Sequence, residues 1–146
     1  MGTLADKIAD PAQRGPIIAA CADLVDREVA AKTGLGGLVV RSAYTCLKAI
    51  RPGMTRHVVN ALLDEFVAAI EPTVAAHLAQ PNGSLADHLK RHQDAVAQAL
   101  LQVTDARVGK LDNRALQGFY GKLRPSAARH VTAALPNLAT LLQAYL

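Results

Sequence analysis

The sequence predicts an all-α protein, a six-helix bundle made of two related three-helix halves arranged about a pseudo-twofold axis. Three observations lead there. Ala (28) and Leu (20) supply about a third of the 146 residues, while aromatic residues are only 3% and Trp is absent. Ala and Leu favour helices, whereas strands are enriched in β-branched and aromatic residues. Apolar residues recur three and four apart along most of the chain, and the breaks fall at Gly and Pro. Finally, one segment occurs twice: residues 51–62 read RPGMTRHVVNAL and residues 124–135 read RPSAARHVTAAL.

Thr3 is placed to cap a first turn through Leu4-Ala5-Asp6. Pro11 and Pro16 suggest a restart before a helix from Ile17 to Lys32. Its stripe is Ile18, Cys21, Val25 and Val29, and its polar side carries Asp23, Asp26 and Arg27. Gly34, Gly36 and Gly37 are expected to end it. A second helix is expected from Leu38 to Arg51, burying Val39, Ala43, Cys46, Leu47 and Ile50, up to a sharp joint at Pro52-Gly53. The third carries the widest apolar face, Val58, Val59, Leu62, Leu63, Phe66, Val67 and Ile70, opposite Arg56, Asn60, Asp64 and Glu71, with a kink expected at Pro72.

Pro81-Asn82-Gly83 is the strongest turn in the chain. Ser84 is expected to cap one long helix whose core row is Leu85, Leu89, Val96, Leu100 and Val103. After Gly109 and Asp112, a short helix with Leu116, Phe119, Tyr120 and Leu123 should stop at Arg124-Pro125. A last helix then buries Val131, Leu135, Leu138, Leu142 and Tyr145.

The repeated segment aligns without a gap at an offset of 73 residues, half the chain. It pairs Arg51 with Arg124, Pro52 with Pro125, Arg56 with Arg129 and His57 with His130. Upstream, in the same order, Thr3-Leu4-Ala5-Asp6 pairs with Ser84-Leu85-Ala86-Asp87. The reading is a single domain over 1–146 with a first half at 1–80 and a second at 84–146. Each half would be too small to bury its own apolar face. The many Ala side chains are expected to draw the helices together and leave little internal space.

The net charge is +4, and the whole surplus lies in residues 74–146, with eight basic and four acidic side chains. This permits an anionic partner without requiring one. Cys21 and Cys46 are 25 residues apart with no C-x-x-C, so they read as two thiols in a reducing compartment. The N-terminus has no basic start followed by an apolar run, and no apolar stretch reaches the roughly 20 residues of a membrane span. The expected location is the cytoplasm.

The R-P-x-x-x-R-H repeat is the most specific feature. A helix N-terminus with an Arg fork and a His is a plausible anion site, so Arg51, Arg56, His57, Arg124, Arg129 and His130 are the candidate ligand-binding residues. The competing reading is architectural and is preferred. Pro52 and Pro125 suit the first position of a helix, Arg51 and Arg124 suit the end of the helix before, and the Arg side chains could pair with Asp64 or Asp105. His88 and His92, one helical turn apart, are weak metal candidates. A third ligand is missing from the sequence pattern, and Lys90 and Arg91 lie between them. No nucleophile motif or paired carboxylates appear, and Gly34-Leu35-Gly36-Gly37 follows no strand. No cofactor is expected and no enzyme activity is assigned. Residues 38–70 have the outline of a helix-turn-helix, but the second helix is acidic outside and the first half is neutral, so nucleic acid is disfavoured.

Several segments together resemble a known family: TLAD at the start, LVDREVAAKTGL (Leu24–Leu35), IRPG (Ile50–Gly53), VTDARV (Val103–Val108) and KLRPSAARHVTAALP (Lys122–Pro136). The likeness is to a small family of actinobacterial helical proteins with no assigned function, and it covers nearly the whole chain. It implies a stand-alone cytoplasmic helical protein and supplies no activity, cofactor or site residues. The expected role is therefore a protein–protein interaction or self-association, with an unidentified protein partner or a homo-oligomer. Leu141 and Leu146 suggest surplus apolar surface for it. The alternatives are a small anionic or lipid-like ligand held between the halves, and nucleic-acid binding through the basic second half.

Overall fold

The computed structural model describes residues 4–32, 34–50, 53–110, 112 and 114–145. The expectations at Thr3, Arg51, Pro52 and Leu146 lie outside these residues. So do those on the side chains of Val39, Ala43, Cys46, Leu47, Ile50 and Leu116. The described residues form helices and no strand. The helices are α1 (Leu4–Ala9), α2 (Pro11–Ala30), α3 (Gly34–Ile50), α4 (Met54–Ala79), α5 (Leu85–Arg91), α6 (Gln93–Gly109) and α7 (Arg114–Gln143).

The all-α expectation holds, but seven helices are described rather than six, and four boundaries differ. The first turn is a helix of its own. Asp10 separates it from α2 by accepting the Ala12 N–H at 2.9 Å, and Pro11 takes the first position, where no N–H is needed. Pro16 then lies within α2 rather than before it.

The glycines expected to end α2 instead open α3. A Cβ on Gly37 would stand 2.6 Å from the Lys32 carbonyl carbon, so the first turn of α3 folds back on the connection from α2 at a distance only Gly permits. The long helix expected after Ser84 is divided at His92, whose backbone (φ −111°, ψ 21°) closes α5 and opens α6. At the start of α5, Ser84 and Asp87 cap one another's backbone in a reciprocal box.

The fourth difference bears on the repeat. Pro125 was expected to start a helix but lies inside α7, as does Pro136. Proline removes one rung of the ladder and frees the carbonyl four residues back. Here that carbonyl belongs to Gly121, which is exposed and can meet water, while Ser126 Oγ donates to the Leu123 carbonyl at 3.3 Å. At the first copy of the motif the chain does break. Gly53 has φ 73° and α4 begins at Met54. The two copies therefore sit in different local backbone settings.

One core joins the helices. Leu4 and Ile8 of α1, Leu63, Val67, Ile70 and Val74 of α4, Leu85 and Leu89 of α5, Val96 of α6 and Leu135, Ala139 and Leu142 of α7 are buried together. Short helix α1 packs on α2 and α4, and short helix α5 packs mainly on α7. Glu71 of α4 accepts the Leu4 and Ala5 N–H groups at 3.1 Å each, which ties the start of α1 to the main helix. Helices α4 and α7 share the core through side chains yet do not pack backbone to backbone. No helix among the described residues is long and apolar enough to cross a membrane.

Leu89 is fully buried, at 0% exposure. Leu89→Ala is expected to lower stability by about 2–5 kcal/mol, the usual range for a core leucine truncated to alanine. Urea denaturation followed by circular dichroism measures it.

Candidate functional site

A space opens between α4 and α7. It is a partly open cavity of about 270 Å³. Leu4, Lys7 and Ile8 of α1 border it, with Ile17, Cys21 and Leu24 of α2 and Leu63, Phe66, Val67 and Ile70 of α4. The second half contributes Leu100, Leu101 and Thr104 of α6, Val131, Leu138, Leu141 and Leu142 of α7, and Tyr145. Both halves thus contribute to the wall, and its surface is apolar throughout.

The expectation that abundant Ala would close the interior is corrected here. The helix faces turned toward the cavity carry large, branched or aromatic side chains, which hold the backbones of α4 and α7 apart. Leu141, expected as surplus surface for a partner, borders the cavity instead. Among the described residues, Leu38 and Leu78 are the large apolar side chains left exposed.

Among the described residues, four side chains with a nucleophilic or ionisable group border this wall: Lys7, Cys21, Thr104 and Tyr145. Burial pushes the Cys21 thiol above its usual range, which keeps it protonated and unreactive at neutral pH. Lys7 is half-buried and, among the described residues, is the one charged side chain bordering the cavity.

The repeated Arg-His residues lie elsewhere. Arg124 donates from Nε and Nη2 to the two oxygens of Asp105 at 2.9 and 3.1 Å. Tyr120 donates to the same carboxylate and contacts Thr104 Oγ1 at 2.8 Å. These donors hold Asp105 below the usual carboxylate range, with Arg124 the largest cause and Tyr120 the next. Asp64, the other acid considered, is taken by Arg14 at 3.1 Å. His130 Nε2 lies 3.1 Å from Ser126 Oγ. Burial first, then the charges of Lys32 and Arg129, holds His130 below the ordinary imidazole range. Arg56, His57 and Arg129 are exposed. None of the described members of the set borders the cavity, and Arg51 lies outside the described residues.

A group the sequence reading did not assemble sits at the junction of α4, α5 and α6. The His77 ring is 5.2 Å from that of His88, which is 4.6 Å from that of His92. His77 is buried at 8% exposure and its Nδ1 has no partner among the described residues. It continues the row Ile70, Val74, so the helical spacing already placed it in the core. His88 donates from Nε2 to the Thr73 carbonyl at 3.0 Å. Among the described residues, no group of three or more His, Cys, Asp or Glu side chains is arranged to hold a metal ion.

Burial, then the charges of His92, His77 and Arg91, holds His88 below its usual value of 6.5, against the opposing pull of the Thr73 carbonyl. The unfolded chain therefore binds the proton more readily than the folded one. The stabilisation is fully present above about pH 6.5 and is lost as pH falls through the lower folded value. The melting temperature is expected to fall between pH 7.5 and 5.5, and His88→Gln, which can still donate to Thr73, should lessen that fall. A second change tests the Asp105 cluster. Tyr120→Phe should cost about 0.5–1.5 kcal/mol, the net value of an ordinary hydrogen bond, in chemical denaturation at pH 7.

No similar curated protein and no similar solved structure was found. The sequence pattern of one family, described as a family of unknown function (DUF6918), matches residues 4–146. With nearly the whole chain covered, the protein belongs to that family.

Proposed function

We propose that the protein is a non-enzymatic carrier or sensor of a small lipid-like molecule, held in the cavity between its two halves. The observation that carries this reading is the apolar cavity of about 270 Å³ bordered by α1, α2 and α4 on one side and by α6 and α7 on the other. An apolar cavity of this size holds water poorly and takes up apolar guests. It lies just below the roughly 300–1,000 Å³ usual for small-molecule sites, which selects against ligands with two long chains. The reading of a protein partner or homo-oligomer has less support, because Leu141 borders the cavity and the large apolar side chains left exposed among the described residues are Leu38 of α3 and Leu78 of α4 alone.

The reading includes a duplicated fold. Tyr44 of α3 donates to Asp26 of α2, as Tyr120 of α7 donates to Asp105 of α6, although the Thr hydroxyls they also contact, Thr55 of α4 and Thr104 of α6, are not counterparts. Between the halves, Arg107 of α6 donates to the Ala61 carbonyl of α4 at 2.7 Å, and Asn137 of α7 donates to Glu28 of α2 at 2.6 Å. These matched pairs support two copies of one helical unit facing each other, with the cavity at their seam.

Binding of the apolar dye N-phenyl-1-naphthylamine to freshly purified, delipidated protein tests the function. The wild type should bind, and Leu141→Trp should weaken binding by roughly tenfold, the factor given by about 1.4 kcal/mol of overpacking, with helicity unchanged. A wild type that takes up no dye, or a variant that binds as well as the wild type, overturns the reading.

A further inference from the structure

We infer that the guest is a single-chain anionic amphiphile of about ten carbons, whose tail fills the cavity and whose head pairs with the Lys7 ammonium. This inference rests on the lipid-binding reading above. The chain length follows from volume. A cavity of 150 Å³ accommodates benzene, with six carbons, and scaling to about 270 Å³ gives about ten to eleven.

The head group follows from what borders the cavity. The apolar wall accepts no polar group in its interior, so any charged end of a guest must leave at the rim. Among the described residues, Lys7 is the one charged side chain there. It contributes its carbon stem to the wall between Leu4 and Ile8, which are 4% and 5% exposed. The ammonium is thereby carried past the apolar surface, as long cationic side chains do at such boundaries. Lys7 has no ion-pair or hydrogen-bond partner among the described residues. The carboxylate of α4 that holds α1, Glu71, is already engaged with the Leu4 and Ala5 N–H groups. A carboxylate is the simplest head that meets a free ammonium at the end of a ten-carbon tail.

Calorimetric titration of the full chain at pH 7.5 with decanoate, 1-decanol and decylammonium tests this, using wild type, Lys7→Gln and Lys7→Arg. Decanoate should bind the wild type about fivefold more tightly than decanol, the size expected of a half-exposed ion pair. Lys7→Gln should abolish that preference, read as the ratio of the two affinities, and Lys7→Arg should retain it. Affinity should rise from hexanoate to decanoate and gain nothing further at hexadecanoate. A decanoate preference that survives Lys7→Gln, or equal binding of decanoate and decanol by the wild type, overturns the head-group assignment and leaves the cavity reading standing. A continued rise to hexadecanoate overturns the chain length. Failure of all three ten-carbon probes to bind overturns the cavity reading itself.

Discussion

The structure depends on how α4 buries its wide apolar face. Leu63, Val67, Ile70 and Val74 lie in one core with residues from both ends of the chain, and α4 packs against α1, α2, α3, α5 and α6. A helix with that much apolar surface cannot be satisfied by one neighbour. The two short helices meet part of the need, α1 in front of it in sequence and α5 behind. What they leave is the space facing α7, where large side chains meet from both directions and the backbones stay apart. The cavity is therefore a consequence of covering one broad face with narrow partners.

Much of this was legible in the chain. The 3–4 spacing and the Gly/Pro punctuation gave the helical class and placed Leu63, Val67, Leu89, Leu135 and Leu142 in the core, where they are found. Boundaries were less legible because Gly and Pro have more than one use. Gly37 answers to the close approach of Lys32 rather than to a helix end. Pro125 is tolerated because the carbonyl it frees is exposed to solvent. His92 divides a segment whose apolar spacing runs through it, and nothing in the local residue types marks that division.

The site was legible only in outline. A ligand between the halves was one of the readings the sequence allowed, but the residues it favoured for binding, the Arg-His pairs, lie away from the cavity. Arg124 is occupied by Asp105, as an architectural role requires. The cavity residues carried no motif, since each is an ordinary member of a core row. A void appears only when the rows of five helices are placed in space. Lys7 likewise looks like an ordinary surface lysine until its stem is seen beside Leu4 and Ile8.

The prolines of α7 have one more consequence. Pro125 and Pro136 flank Val131, and each deletes a rung from the hydrogen-bond ladder of the helix that closes one side of the chamber. α4 lacks one rung in the same way, because its single internal proline, Pro72, frees the Ala68 carbonyl, between Val67 and Ile70 of its cavity-lining row. A guest of the kind proposed would then meet two walls that each bend at a proline, with no separate door needed.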